Sequence, residues 1–110
     1  MGITSNQITR HIKKRIMTGD LTPGERIPSI RKLSNQLKAN PNTIQRSLRN
    51  LEEEKLVLTI NRKKIVQIEK SIIEKVRIET FEKETRQLLA VLKNLEVDYD
   101  DFIHILKENY

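Results

Sequence analysis

The stretch Ile27-Pro28-Ser29-Ile30-Arg31-Lys32-Leu33-Ser34-Asn35-Gln36-Leu37-Lys38-Ala39-Asn40-Pro41-Asn42-Thr43-Ile44-Gln45-Arg46-Ser47-Leu48-Arg49-Asn50-Leu51 decides the fold. It reads as two short helices joined by a tight turn. Ser29 follows Pro28 and can cap the first helix by accepting a backbone N–H. Ile30, Leu33 and Leu37 form one apolar stripe at helical spacing. This helix is expected to stop near Lys38-Ala39. Asn40 then caps a second helix, with Pro41 at its first position, where a missing N–H costs nothing.

The second helix sorts its residues by face. At about 100° per residue, Ile44, Leu48 and Leu51 share a narrow inward arc. Asn42, Gln45, Arg46 and Arg49 fall on the opposite arc. Gln pairs bidentately with adenine and Arg with guanine in a DNA major groove. The layout is that of a helix-turn-helix with a recognition helix. An amphipathic helix with an ordinary solvated face has the same pattern, so the flanks must separate the two.

Charge is the first such flank. The 110 residues carry a net +6, unevenly placed. Residues 1–68 hold 14 Lys and Arg against 5 Asp and Glu, a net of +9. Residues 69–110 hold 7 against 10, a net of −3. The basic half coincides with the helix-turn-helix, which suits a front half that meets a polyanion. Cysteine is absent, which excludes a disulfide scaffold and a Cys-based zinc site. No run of about 18 apolar residues exists, so no membrane span is expected. Met1-Gly2-Ile3-Thr4-Ser5-Asn6 lacks the basic-then-apolar plan of a signal peptide. A cytoplasmic location is expected.

Upstream, residues 6–18 form a first helix with Ile8, Ile12 and Ile16 on one stripe and Gly19 as its C′ residue. Pro23-Gly24 marks a turn flanked by Leu21 and Ile27, both expected in the core. Downstream, Leu56–Ile60 reads as a strand, Asn61–Lys64 as a polar turn and Ile65–Ile68 as a returning strand. The hairpin places Arg62, Lys63 and Lys64 at its tip. A hairpin behind a recognition helix is a wing, and a cationic tip reaches phosphates or a minor groove. An exposed basic turn without a partner is the plainer alternative.

Residues 69–95 follow as a long helix with apolar positions from Ile72 to Leu95, including Leu88, Leu89 and Leu92. Asp98 caps a last helix, with Asp100 and Asp101 in its first turn, where negative charge is favoured. About 42 residues of this kind cannot enclose a core of their own. Their apolar stripe buries against a second copy of the chain or against the first domain. The dimer is the reading preferred here.

The run Gly19-Asp20-Leu21-Thr22-Pro23-Gly24-Glu25-Arg26-Ile27-Pro28-Ser29-Ile30-Arg31-Lys32-Leu33 resembles the signature of GntR-family winged-helix transcription regulators. Asn40-Pro41-Asn42-Thr43 resembles the recognition-helix start of the YtrA-like branch, which also carries a short helical C-terminal part. The resemblance implies a homodimer that binds a pseudo-palindromic operator in double-stranded DNA and usually represses. It implies that Ser29 and Arg31 contact DNA from the start of helix two. It implies that Asn40, Asn42, Thr43, Gln45 and Arg46 form the reading end of helix three. The chain departs from the family pattern in three places. Lys55 stands where the family usually has Gly, Arg62-Lys63-Lys64 replaces a Gly-rich wing tip, and Ser5 replaces an aromatic residue in helix one.

The expected fold is mostly α with a small β-hairpin. A winged helix-turn-helix over residues 1–68 precedes a short helical dimerisation segment over 69–110. The expected function is sequence-specific DNA binding as a homodimer, with a repressor's role. Base reading falls to Asn42, Gln45, Arg46 and Arg49. Phosphate anchoring falls to Ser29, Arg31, Thr43 and the wing cations. The alternative is a winged-helix adaptor for another protein, although the outward face is more cationic than an interface core usually is. An enzyme is not expected, because no phosphate loop, nucleophile motif or His pair at ligand spacing occurs. No cofactor or metal is expected. His11 and His104 each stand without a second ligand at metal spacing. Whether a small-molecule effector exists stays open, since the C-terminal part is too short for a deep pocket within one chain.

Overall fold

A computed structural model describes residues 2–110. In chain order the elements are α1 (Ser5–Met17), α2 (Ile30–Leu37), α3 (Pro41–Glu53), β1 (Val57–Ile60), β2 (Lys63–Val66), α4 (Lys70–Asn94) and α5 (Tyr99–Asn109). The chain divides into two compact units, the first ending at Arg77 and the second spanning Ile78–Tyr110. The mostly helical winged-helix fold expected from the sequence is the fold observed.

The first unit is built on the expected stripes. Ile8, Ile12 and Ile16 of α1 are buried against Ile44, Leu48 and Leu51 of α3. Leu33 adds the contribution of α2, with Ile30 and Leu37 partly buried beside it. Leu21 and Ile27, on either side of the Pro23-Gly24 turn, close the core. The starts of α1, α2 and α3 are each satisfied locally. Thr4 and Gln7 form a reciprocal capping box at α1, at 3.2 and 2.9 Å. Ser29 Oγ accepts the Lys32 N–H at 3.2 Å, and Asn40 Oδ1 accepts the Asn42 N–H at 2.8 Å.

Three polar contacts fix α1 on α3. Ser47 is fully buried on α3 and donates its hydroxyl to the Ser5 carbonyl of α1 and to its own Thr43 carbonyl, both at 2.9 Å. Asn50 donates to Thr9 Oγ1 at 3.3 Å, and Lys13 bridges Glu54 at 2.6 Å. Sequence periodicity places Ser47 beside the apolar arc but says nothing of this bond.

The hairpin differs in its boundaries from the sequence reading. β1 and β2 pair antiparallel, with Val57 opposite Val66 and Ile60 opposite Lys63. The loop is therefore two residues, Asn61 and Arg62, with φ of 51° and 65°. Positive φ at both central positions is the type I′ geometry that matches strand twist. Lys63 and Lys64 accordingly belong to β2 and not to the turn, and Gln67 and Ile68 lie beyond the strand. The segment after Pro23 joins the sheet edge. Gly24 donates to the Val66 carbonyl at 3.0 Å, Val66 to Glu25 at 2.8 Å, and Ile27 to Lys64 at 2.9 Å.

Lys55, where the family pattern has Gly, takes φ 65°. The left-handed turn is required because the chain must reverse from α3 into β1 within three residues. Buried Gln67 supports it by donating its amide to the Lys55 carbonyl at 2.8 Å. Lys38, at the end of α2, is also left-handed, with φ 51°.

α4 starts inside the first unit, where Ile73 is buried in its core and Val76 packs against it. Farther along, Arg77 grips Glu74 at i,i+3, and its hydrogen bond holds the Glu74 carboxyl below the usual carboxylate range. A depressed carboxyl contributes stability above its unfolded pKa, and that contribution disappears as pH falls through the folded value. Both side chains are half exposed, so the effect on the fold is small. In the second unit no residue is buried. Phe81, Leu88, Val91 and Leu95 of the α4 stretch and its end are exposed, as are Tyr99, Ile105 and Leu106 of α5.

Candidate nucleic-acid interface

The outward residues of α3 are held by a helix whose other face is fully committed to the core. Asn42, Gln45, Arg46 and Arg49 are all exposed, while Ile44, Ser47, Leu48 and Leu51 are buried. Rotation of α3 about its axis would break the buried set, so the outward set is fixed. Thr43 is half-buried at the first turn.

This face has two flanks. On one side Arg46, Asn42 and Thr43 share a polar recess with Thr4 and Ser5 at the start of α1. On the other side Gln45 and Arg49 share a smaller recess with Glu52 of α3 and Lys64 of the wing. A third groove, about 370 Å³, lies between the N-terminus of α2 and the hairpin. Arg26, Ser29, Arg31, Arg62, Lys63 and Lys64 line it. The structure thus brings the expected residues of α2, α3 and the wing onto connected surface. Asn40 is exposed at the α3 cap, with its side-chain Oδ1 already accepting the Asn42 N–H.

The electrostatics of the face are one-sided. Among the described residues, Arg26, Arg31, Arg46, Arg49, Arg62 and Lys63 hold no acidic partner. Two cations on other surfaces of the first unit are paired, Lys13 with Glu54 and Arg15 with Asp20. Lys64 differs from its wing neighbours. It is ion-paired with Glu52 and donates to Thr59 Oγ1 at 2.7 Å.

Arg26 was not among the residues singled out in the sequence, where it reads as the end of a turn. Its signal is an isolated bridge to Ile65, which carries it onto the edge of the wing. That pairing joins residues far apart in the chain, and no local pattern announces it. Among the described residues, no group of three or more His, Cys, Asp or Glu side chains could hold a metal ion.

Residues 4–66 match the model of the bacterial regulatory proteins of the gntR family. The chain belongs to the GntR family. Over 54 residues it is 35% identical to the HTH-type transcriptional repressor YtrA of Bacillus subtilis, covering 49% of this chain and 42% of that protein. Over 53 residues it is 42% identical to the HTH-type transcriptional regulator YhcF of the same organism, covering 48% and 44%. These matches span less than half the length of the curated relatives. A structure of a GntR-family transcriptional regulator from Listeria monocytogenes superposes over 94% of this chain and 92% of that one, with TM-score 0.86 and 28% identity. The family is one of bacterial regulatory proteins, and the relatives named above are transcription regulators with an HTH domain or GntR-family membership in their names. The YtrA-like resemblance read from Asn40-Pro41-Asn42-Thr43 has its counterpart in the similarity to YtrA.

Proposed function

We propose that this GntR-family member is a sequence-specific repressor that binds a palindromic operator as a homodimer in the cytoplasm. The observation that carries this reading is the outward face of α3, rigidly backed by the core and rich in cations without acidic partners. Asn42, Gln45, Arg46 and Arg49 read base edges in the major groove. Asn40 stands at the reading end of α3, Ser29, Arg31 and Thr43 hold phosphates on either side, and Arg62 and Lys63 of the wing extend the footprint. Arg26 adds a further phosphate contact at the wing edge. Two recognition helices related by two-fold symmetry enter successive major grooves about 34 Å apart.

The homodimer forms through the helical segment of residues 69–110. The exposed Phe81, Leu88 and Leu95 support this reading, since an apolar face left in water is unfavourable. The net −3 of that segment keeps it clear of the phosphates. The repressor's role is taken from the name of YtrA, which matches over the DNA-binding half alone.

The test is fluorescence anisotropy with the full chain, a labelled duplex carrying the DNA upstream of the protein's own gene, and excess nonspecific competitor. Saturable binding at two chains per duplex that survives competitor supports the reading. Binding that competitor abolishes, with no preferred sequence emerging from a wider set of duplexes, contradicts it.

A further inference from the structure

We infer that Glu52 and Lys64 neutralise each other between the recognition helix and the wing, which removes Lys64 from the charge that DNA sees. The inference rests on the DNA-binding reading above and refines it. It divides three consecutive wing cations into two that meet phosphates and one that does not.

The geometry carries it. Glu52 lies in the last turn of α3, at i+3 from Arg49. Its carboxylate is therefore on the side of α3 that meets the wing, next to the proposed reading face. An unpaired carboxylate there would repel the phosphates that Arg49 and the wing attract. Lys64, opposite Thr59 in the hairpin, supplies the counter-charge. Its ammonium contacts Glu52 and also donates to Thr59 Oγ1 at 2.7 Å. One cation thus links α3, β1 and β2. Strand alternation explains why Lys64 is chosen. Its neighbour Lys63 points to the opposite face of the hairpin and is exposed, whereas Lys64 is half-buried against α3. Arg62 sits in the turn itself, where no acidic partner is at hand.

Neutralisation has a measurable consequence. Each phosphate neutralised by a protein cation contributes about −0.9 to the slope of log K against log salt. Arg62 and Lys63 contribute to that slope, and the Glu52–Lys64 pair, with no net charge, does not. The pair is partly exposed on both sides, so its loss disturbs the fold little.

The experiment measures that slope for the full chain on one fixed duplex, by anisotropy between about 50 and 300 mM KCl. Four proteins are compared with wild type: Lys63→Gln, Glu52→Gln, Lys64→Gln and the double variant Glu52→Gln/Lys64→Gln. Circular dichroism melts confirm that each is folded. Lys63→Gln is expected to flatten the slope by about 0.9 per chain. Glu52→Gln frees Lys64 and steepens it by about the same amount, raising nonspecific affinity roughly five- to tenfold near 0.1 M salt. Lys64→Gln unmasks Glu52 and weakens binding. The double variant restores the wild-type slope, because a pair of zero net charge has been replaced by two neutral groups. A double variant as flat as Lys63→Gln means that Lys64 reaches a phosphate itself, and overturns the inference while leaving the DNA-binding reading intact. Wild-type protein that binds no duplex at all overturns both.

Discussion

At the scale of single residues, Arg62 shows where local preference and function pull apart. The second position of a type I′ turn favours Gly, and a left-handed side-chain-bearing residue costs about 1 kcal/mol. Arg62 occupies it with φ 65°. Replacing it with Gly is expected to raise stability by about 0.5–1 kcal/mol in urea titration while weakening all DNA sequences alike. Lys55 carries the same strain without a proposed DNA contact. Lys55→Gly is therefore expected to stabilise by about 0.5–1 kcal/mol and to leave the preference among sequences unchanged. Arg46 is the opposite case. It is exposed on a fixed helix face, and Arg46→Ala is expected to cost about 1–3 kcal/mol on the preferred site and to relax specificity there. Anisotropy against matched and mismatched duplexes measures both effects. Binding as tight and as selective as wild type would remove Arg46 from the reading set. The strain at Lys55 was legible as a departure from a Gly position. That at Lys38 was not, because no residue pattern there calls for a left-handed turn.

At the scale of elements, the helices were readable because each announces itself locally. Ser29 and Asn40 cap as their positions suggest, and the apolar stripes of α1, α2 and α3 are the buried ones. The hairpin was readable in kind but not in register. Asn61-Arg62-Lys63-Lys64 looks like one polar turn, and polarity cannot tell a turn residue from the outward residue of a strand. Pairing across the hairpin, set by the two-residue turn, decides it. The contact of α1 with α3 through Ser47 was equally hidden, since a serine on a helix is usually solvated. Ser47 is instead buried, and it bonds the half-buried Ser5 and Thr43 carbonyls. Ser47→Ala is expected to cost about 1 kcal/mol or slightly more, by leaving the Ser5 carbonyl with one bond fewer. A melt compared with Ser71→Ala, an exposed serine at the start of α4, separates this cost from a general effect of losing a hydroxyl.

At the scale of the whole molecule, the basic and acidic halves divide the labour. Both halves were visible in the charge alone, and the first compact unit extends to Arg77, with Ile73 of α4 buried in its core. A buried isoleucine three residues into a long helix cannot be assigned to either side from periodicity. The second unit leaves Leu88 and Leu95 exposed in the single chain. The double substitution Leu88→Asp/Leu95→Asp is expected to convert a dimer to a monomer in light scattering and to lower affinity for a two-fold site at least tenfold. The monomer would keep its affinity for a half-site. The most direct test of the central claim is selection from random duplexes with the full chain, followed by counting chains bound per selected duplex. The expected result is one enriched sequence with two-fold symmetry, half-sites one helical turn apart and two chains bound. A selected pool without a common sequence, held only at low salt, would contradict it.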